Sequence, residues 1–541
     1  MSAVTDTEKI QDDKSNGSTE VDVRESEAER RIDGNADNRL LAKLGYRSEF
    51  RREFSLLESI AFAYAIMGPV GGASSTLGFG LSAGGHVGMV WGWLVPCCFV
   101  LAIAASMAEL TSSMPTSAGL YYFAAKMASP RHSALASWIT GWSNIVGQVT
   151  LVCSIDFTVA QFISVALFVG SDGAINLGTG AQYGILWALV LLHGVISSFW
   201  TRILARLNVF YALLNCTRWP VGTSIAVIAV LCNYARTDGV SREVAFTKYE
   251  NNTGWSSNGW AFCLSFLSSM WTLTDDSAAH VSEETADASR AAPRAIFAAV
   301  LMTMFNGWLI LISASFAIVS VPDLLASPLP LPMAQLLLDA VGKHGMLAVW
   351  SLILLVLFMA GASQTVDASR VVYAFARDNA LPGSRYWKKV NKYTQTPVNA
   401  AWFVVVCAGI CGLVGFSSAA LSSLAGASTI GLYISYATPI FCRITSGRDK
   451  LKPGPFSLGV LAVPVGAIAV AWVAFITVVL MFPSSSVPNA ENMNYAVVII
   501  VGILGLAAVW WVVSARKWFK GPVPNVDSRD GKESEDDASE A

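Results

Sequence analysis

Between two charged ends, the chain is a succession of apolar stretches longer than the roughly 20 residues that cross the hydrocarbon of a bilayer, several of them joined only by short polar connections. In hydrocarbon a backbone must satisfy its own hydrogen bonds, which an unbroken apolar run does as a helix. The chain therefore reads as an all-α polytopic membrane protein. Only 14% of its 541 residues are charged, against about a quarter in a soluble domain, and these concentrate in residues 1–53 and 516–541. The net charge of -2 carries little information, and no basic face points to nucleic acid. The nine cysteines lie mostly inside apolar runs, without metal-ligand spacing, and read as small buried hydrophobes. The polar N-terminus lacks the apolar core of a cleavable signal, so the first spanning helix is expected to direct insertion. No cofactor is implied.

Twelve spanning segments are predicted, at about 57–80, 87–108, 135–169, 182–199, 208–232, 258–284, 294–320, 334–376, 397–416, 419–441, 459–482 and 495–515. The third and eighth exceed one bilayer thickness, which calls for tilt or extension beyond it. Four regions result: a disordered N-tail (1–53), a core of ten segments (54–445), two further segments (446–518) and an acidic C-tail (519–541). Basic residues favour one set of connections, from Lys126 and Arg131 through Arg202, Arg206, Arg290 and Arg294 to the cluster Arg385, Lys388, Lys389 and Lys392. Such connections stay in the cytoplasm, so both termini are expected there. Asn251-Asn252-Thr253 is a glycosylation sequon in a predicted outer loop.

Two segments are interrupted. The first carries Gly68-Pro69-Val70-Gly71-Gly72 at mid-membrane, and the sixth carries Thr272-Leu273-Thr274-Asp275-Asp276-Ser277 at similar depth. Proline removes a backbone donor and glycine weakens a helix. Broken helix is tolerated at membrane depth where it lines a cavity. The two breaks lie five segments apart, the offset of two five-helix repeats related by inverted topology.

The stretches Met107–Tyr122 (MAELTSSMPTSAGLYY), Trp138–Asn144 (WITGWSN) and Ala368–Asp378 (ASRVVYAFARD) resemble signatures of the amino acid–polyamine–organocation permeases. Thr394–Ala400 (TQTPVNA) and Trp510–Phe519 (WWVVSARKWF) are similar to the fungal amino acid/choline transporter branch, with its GABA and choline permeases. The resemblance covers about residues 45–521. It implies a LeuT-like fold and alternating access driven by a proton or electrochemical gradient.

In the first break, Gly68 to Ser75 expose backbone N–H groups at the start of a half-helix, where the dipole favours a carboxylate. The resemblance implies that role for Gly71, Gly72 and Ala73. In the sixth, freed carbonyls with Asp275 or Asp276 are positioned to hold an ammonium group. Relatives commonly read Gly-Tyr-Asp where this chain reads Thr274-Asp275-Asp276, so a second acid replaces an aromatic. Two acids at this depth are expected to pair or to share a proton. Alternatively, one of them caps the following half-helix. His280, Glu283 and Glu284 match the family's His-x-x-Glu-Glu pattern and are expected to build an inner gate, with Arg290 or Arg294 as partners. Arg218 in the fifth segment is either a fixed stand-in for a bound sodium ion or an inner-vestibule residue paired with an acid. Asp156 and Asp367 are the remaining membrane acids, each a candidate partner for Arg218 or carrier of a coupling proton. Glu109 is expected to organise an inner loop.

The reading is a secondary transporter of an amino acid, GABA or a related nitrogenous solute, with protons as coupling partner and the plasma membrane as its location. An organic-cation carrier, a vacuolar location, export, and a nutrient sensor on the same fold are the alternatives. No nucleophile–base pair, metal cluster or phosphate loop supports a membrane enzyme. The tails, with Lys14 and the acidic stretch from Asp527 to Ala541, read as regulatory.

Overall fold

The computed structural model describes Leu40, Leu41, Leu44, Tyr46 and residues 54–216, 222–274, 276–490 and 493–523, with side chains omitted at 202, 205 and 211–216. Arg218, Asp275, Lys14 and the acidic end of the chain lie outside the described residues. Among those described the structure is helical, without strands.

The helix α1 (Leu56–Met67) opens with a capping box. The Ser55 N–H donates to Glu58 Oε2 at 2.7 Å, and the Glu58 N–H returns to Ser55 Oγ at 3.4 Å. It ends at Gly68, whose φ of 44° and ψ of 61° lie in the left-handed region that glycine enters without steric cost. Pro69, with no N–H to leave unpaired, starts α2 (Pro69–Ser113). The chain leaves helical geometry again at Gly84 and Gly85, which divide α2 into the rest of the first segment and the whole of the second.

There follow α3 (Gly119–Met127), α4 (Ser133–Gly170), α5 (Thr179–Phe199), α6 (Thr201–Cys216) and α7 (Thr223–Asp238). The sixth segment is built from three short pieces, α8 (Asn258–Leu264), α9 (Leu267–Thr272) and α10 (Ser277–His280). Beyond it run α11 (Ala288–Ala317), α12 (Pro332–Arg377), α13 (Val398–Cys411), α14 (Ala420–Ile444), α15 (Ala462–Met481) and α16 (Ala496–Trp510). The two long segments expected from the sequence are α4, of 38 residues, and α12, of 46 residues with a break at Gly342. Among the described residues, eight helical stretches are long and apolar enough to cross a membrane. The first of them holds two predicted segments. The fifth, sixth and tenth predicted segments fall outside the set, the sixth being divided into shorter helices and the fifth containing residues 217–221, which are not described.

Contacts between segments repeat under a shift of five. The first packs on the seventh through Tyr64 and Asn306, as the sixth packs on the second through Ser269 and Gly92. The third packs on the tenth through Asn144 and Ser435, as the eighth packs on the fifth through Ser363 and Asn208. The second meets the seventh at Trp93 and Met304, and the third meets the eighth where Phe162 stacks on Trp350 with centroids 4.0 Å apart. Exchanging each of the first five segments with the one five later maps this set onto itself. An odd shift reverses the direction of crossing, so these are two inverted repeats.

The third segment is the centre of the bundle. The most apolar window of α4 is 72% buried, whereas that of the last helical stretch is 17% buried. On α16 the side chains of Val498, Val501, Leu506 and Val509 are exposed. A soluble protein would not leave such a belt in water, and lipid covers it without cost.

Candidate functional site

The two interruptions face each other. A cavity of about 20 Å³, room for little more than a water, lies between Gly68 and Gly72 on one side and Trp271, Thr272 and Thr274 on the other. Apolar side chains of α4 and α12, Ile155 and Leu357 among them, close it. Gly72 is required by this close approach, because a Cβ there would sit 2.4 Å from Thr272 Oγ1. The first turn of α2 has no intrahelical acceptors for its leading N–H groups. Pro69 has none to offer, so Val70 and Gly71 supply the free donors, while the Gly72 N–H bonds Gly68 O at 2.8 Å. Across the cavity, the helical ladder of α9 stops at Leu273, whose N–H reaches Ser269 O at 2.9 Å and whose own carbonyl accepts from the Tyr433 hydroxyl at 2.6 Å. Among the described residues no charged side chain lines this cavity. Its polarity comes from helix ends and from the hydroxyls of Thr272 and Thr274.

Asp276 does not line the cavity, and although it stands at the N-cap position of α10 its side chain accepts from none of that helix's backbone N–H groups. Its carboxylate is held by side chains of two other segments and its own helix. Oδ2 accepts from Asn144 Nδ2 at 3.0 Å and Gln148 Nε2 at 3.2 Å, and Oδ1 accepts from the Tyr436 hydroxyl at 2.9 Å. His280 Nε2, one turn along, lies 3.2 Å from Oδ2. Gln148 also donates to Asp367 Oδ2 at 2.8 Å, and its own carbonyl oxygen accepts from Gln364. Asp276, His280 and Asp367, singled out separately in the sequence, thus share one buried network. Asn144, Gln148, Gln364 and Tyr436 complete it and were missed. Asn144 and Gln148 are four apart, hence on one helix face. Two amides on one face of an apolar helix are the signal that could have found them.

Beyond this network, on the face that bears the basic connections, the chain is sealed. Glu284 takes a forked contact from Arg370, with Nε at 2.8 Å and a second nitrogen at 3.4 Å. Glu283 accepts from Thr116 Oγ1 and the Ser117 N–H, both at 3.0 Å, with Arg377 at 3.8 Å. The Phe54 N–H bonds Glu284 O at 3.0 Å, and the Ala286 N–H bonds Phe54 O at 2.9 Å, so the entrance of α1 is stitched to the exit of the sixth segment. The expected partners Arg290 and Arg294 do not take part. Both point outward, Arg290 lying 3.8 Å from Asp287, because α11 turns that face to the surface, whereas Arg370 and Arg377 on α12 face inward. Next to Arg377, Asp378 collects both ends of the described chain. Its carboxylate accepts from Tyr121 OH at 2.7 Å, Tyr46 OH at 3.5 Å and the Val523 N–H at 3.1 Å. Burial raises its pKa above the usual carboxylate range, and Arg377 partly offsets this.

The opposite face is open. A cavity of about 500 Å³ lies between Gly78 and Ser82 of α2, Leu264 and Leu267 of the sixth segment and the loop of Pro328 and Pro330. At the level between it and the small cavity, Thr76 and Ser268 hydrogen bond at 2.5 Å. Asn251 lies on this side. Its Nδ2, the atom a glycan would take, donates to Trp255 O at 2.8 Å, and its Oδ1 accepts from Thr253 Oγ1 at 2.7 Å.

Asp156 stands apart from both breaks, with His193 Nδ1 2.9 Å from its Oδ1 and both side chains fully buried. His193 was not singled out in the sequence. Glu109 accepts from the Leu458 N–H at 3.1 Å and lies 3.5 Å from Arg443, so it contacts the connection between α14 and α15.

Two interrupted helices facing each other across a small cavity, with ion pairs closing one side and a separate wide recess on the other, define a membrane transporter. A family model described as amino acid permease matches residues 54–504. Amino-acid permease BAT1 of Arabidopsis thaliana is 34% identical over 90% of this chain and 96% of its own length. The GABA-specific permease of Saccharomyces cerevisiae is 36% identical over 91% of this chain and 87% of its own. The amino-acid permease BAT1 homolog of Oryza sativa is 36% identical over 91% and 97%. The chain belongs to the amino acid permease family, whose members here are transporters and not enzymes.

Proposed function

We propose that the protein imports a small zwitterion, an amino acid or GABA, across the plasma membrane by alternating access, driven by protons, with both termini in the cytoplasm. The observation that carries this is the absence of charge on the described lining of the central cavity. A zwitterion needs an anion site and a cation site that sum to zero. The Val70 and Gly71 N–H groups at the positive end of α2 meet the carboxylate. The last carbonyls of α9, at the negative end of that helix, with the hydroxyls of Thr272 and Thr274, meet the ammonium. One of the relatives is named a GABA-specific permease.

Glu283, Glu284, Arg370 and Arg377 act as the inner gate, and the Asp276 network latches the inner half of the sixth segment to α4, α12 and α14. The basic connections lie on the sealed face, which fits a cytoplasmic assignment. The doubled acid Asp275-Asp276 is the one feature that favours an organic cation. Asp276 is already committed to four donors, which leaves that reading resting on Asp275.

The test is uptake of labelled GABA, a neutral amino acid and choline by a permease-deficient fungal strain expressing the full chain at two pH values. GABA or amino acid uptake that rises at acid pH is expected, and choline uptake alone would overturn the zwitterion assignment. Gly72→Val should abolish uptake with surface protein unchanged, because its side chain meets Thr272.

A further inference from the structure

We propose that Asp156 and His193 form the proton-binding site that couples the gradient to solute movement; this rests on the transporter reading above. The two side chains come from α4 and α5 and touch at 2.9 Å, with no exposure on either. Neither carboxylate oxygen of Asp156 and neither ring nitrogen of His193 makes a hydrogen bond among the described residues, so the 2.9 Å approach of Nδ1 to Oδ1 is their one polar contact. A carboxylate and an imidazole in this contact are together neutral when one proton is present on either. Whether it sits on oxygen as a neutral acid beside a neutral ring, or on nitrogen as an ion pair, the net charge is zero. Release leaves one uncompensated negative charge in a dry bundle, which is costly. The site therefore passes from neutral to charged with a single proton and no other chemistry.

The surroundings keep it so. The titratable groups that face it are thiols, Cys153 one turn back on α4 with Cys411 of α13 behind it. His193 is the one titratable side chain near this level of α5, and no charged residue occurs in α13. From α12 come Gly361 and the ring of Phe358, whose centroid is 4.6 Å from that of His193. Asp367, further along α12, turns to Gln148 instead. The glycine is required, since a Cβ on Gly361 would come 2.6 Å from Asp156 Oδ1 and 2.7 Å from His193 Cε1.

Position supplies the coupling. Ile155 and Ala360 line the solute cavity, and Asp156 and Gly361 are the next residues on the same two helices. Solute pressing on one face of α4 and α12 thus acts on the helices that hold the pair together one residue around. Asp276 makes the poorer candidate, because its charge is already met by four donors.

The experiment uses the full chain in proteoliposomes with labelled GABA, or the neutral amino acid if that is what cells take up. Two quantities are read: exchange of internal for external solute at equal pH, and net accumulation under an inward proton gradient. With one proton per solute, a gradient of about one pH unit sustains roughly tenfold accumulation. Wild type should approach that. Asp156→Asn and His193→Gln should fall to no concentration of solute, while exchange persists at a reduced rate because it moves no net proton. Gly361→Ala should lower accumulation in the same direction. Accumulation that stays pH-driven in both pair variants overturns the proposal. If a variant loses exchange as well, solute affinity is measured against pH in detergent. Affinity that becomes pH-independent supports the site, and an unchanged pH profile refutes it. Failure of wild type to exchange any solute of the panel would instead sink the transport reading.

Discussion

Asp276 and Asp156 are the same residue type at the same depth of burial, and the bundle treats them in opposite ways. Four donors from three helices converge on Asp276. Asp156 has His193 alone. A buried carboxylate surrounded by donors is fixed as an anion and fixes its neighbours in return. One with a single titratable partner can change its protonation without rearranging a network. The difference separates a latch from a moving part, and it is visible only in the number of donors each acid has gathered.

The comparison is sharpest where its consequences are largest. Asp276→Ala strands donors on α4, α10 and α14, and should cost about 3–5 kcal/mol, the penalty for breaking a buried charged cluster. Thermal unfolding of the purified protein in detergent is the measurement, and a small loss would mean that the network is dispensable. Arg370→Lys removes the fork on Glu284 while keeping the charge, and should cost about 1–3 kcal/mol in the same assay. It should also open the sealed face, read as faster modification of a cysteine introduced at Ser277. Asp156→Asn should cost about 1 kcal/mol, with transport and not stability taking the loss. Equal destabilisation by the Asp156 and Asp276 variants would erase the distinction.

The smallest effect is expected at Asp378. Its folded value is raised by burial, so the protonated form favours the fold and the native state pays for the charge as pH climbs past the unfolded carboxylate value toward the raised one. Asp378→Asn should therefore gain stability relative to wild type as pH rises through that window and lose the gain as pH falls. A pH-independent difference between the two would contradict the assignment.

Most of the scaffold was legible in the chain. Gly68-Pro69 and the polar run at Thr272–Ser277 had to break helices, because their backbone chemistry allows little else, and their spacing gave the repeat. The His280, Glu283 and Glu284 cluster lies within five residues, so its shared location was local information. What escaped was tertiary. Gln148 touches Asp276 and Asp367 across more than a hundred residues of sequence, and a lone histidine in α5 carries no sign that Asp156 waits on α4. The gate arginines were misassigned for the same reason. Arg290 and Arg294 are near in sequence, but helix rotation, which the pattern of charges leaves open, decided for Arg370 and Arg377. The role of Arg218 and the partner of Asp275 lie outside the described residues.

The meeting of Tyr46 and Val523 at Asp378 also sets where the chain can be shortened. Both ends are moored to one carboxylate at the close of α12, so the molecule is drawn shut like a purse with a single knot. Trimming outside Leu40 and Val523 leaves the knot tied. Cutting inside either limit frees one string, and a tag fused close to Val523 pulls on the same residue as one fused close to Tyr46.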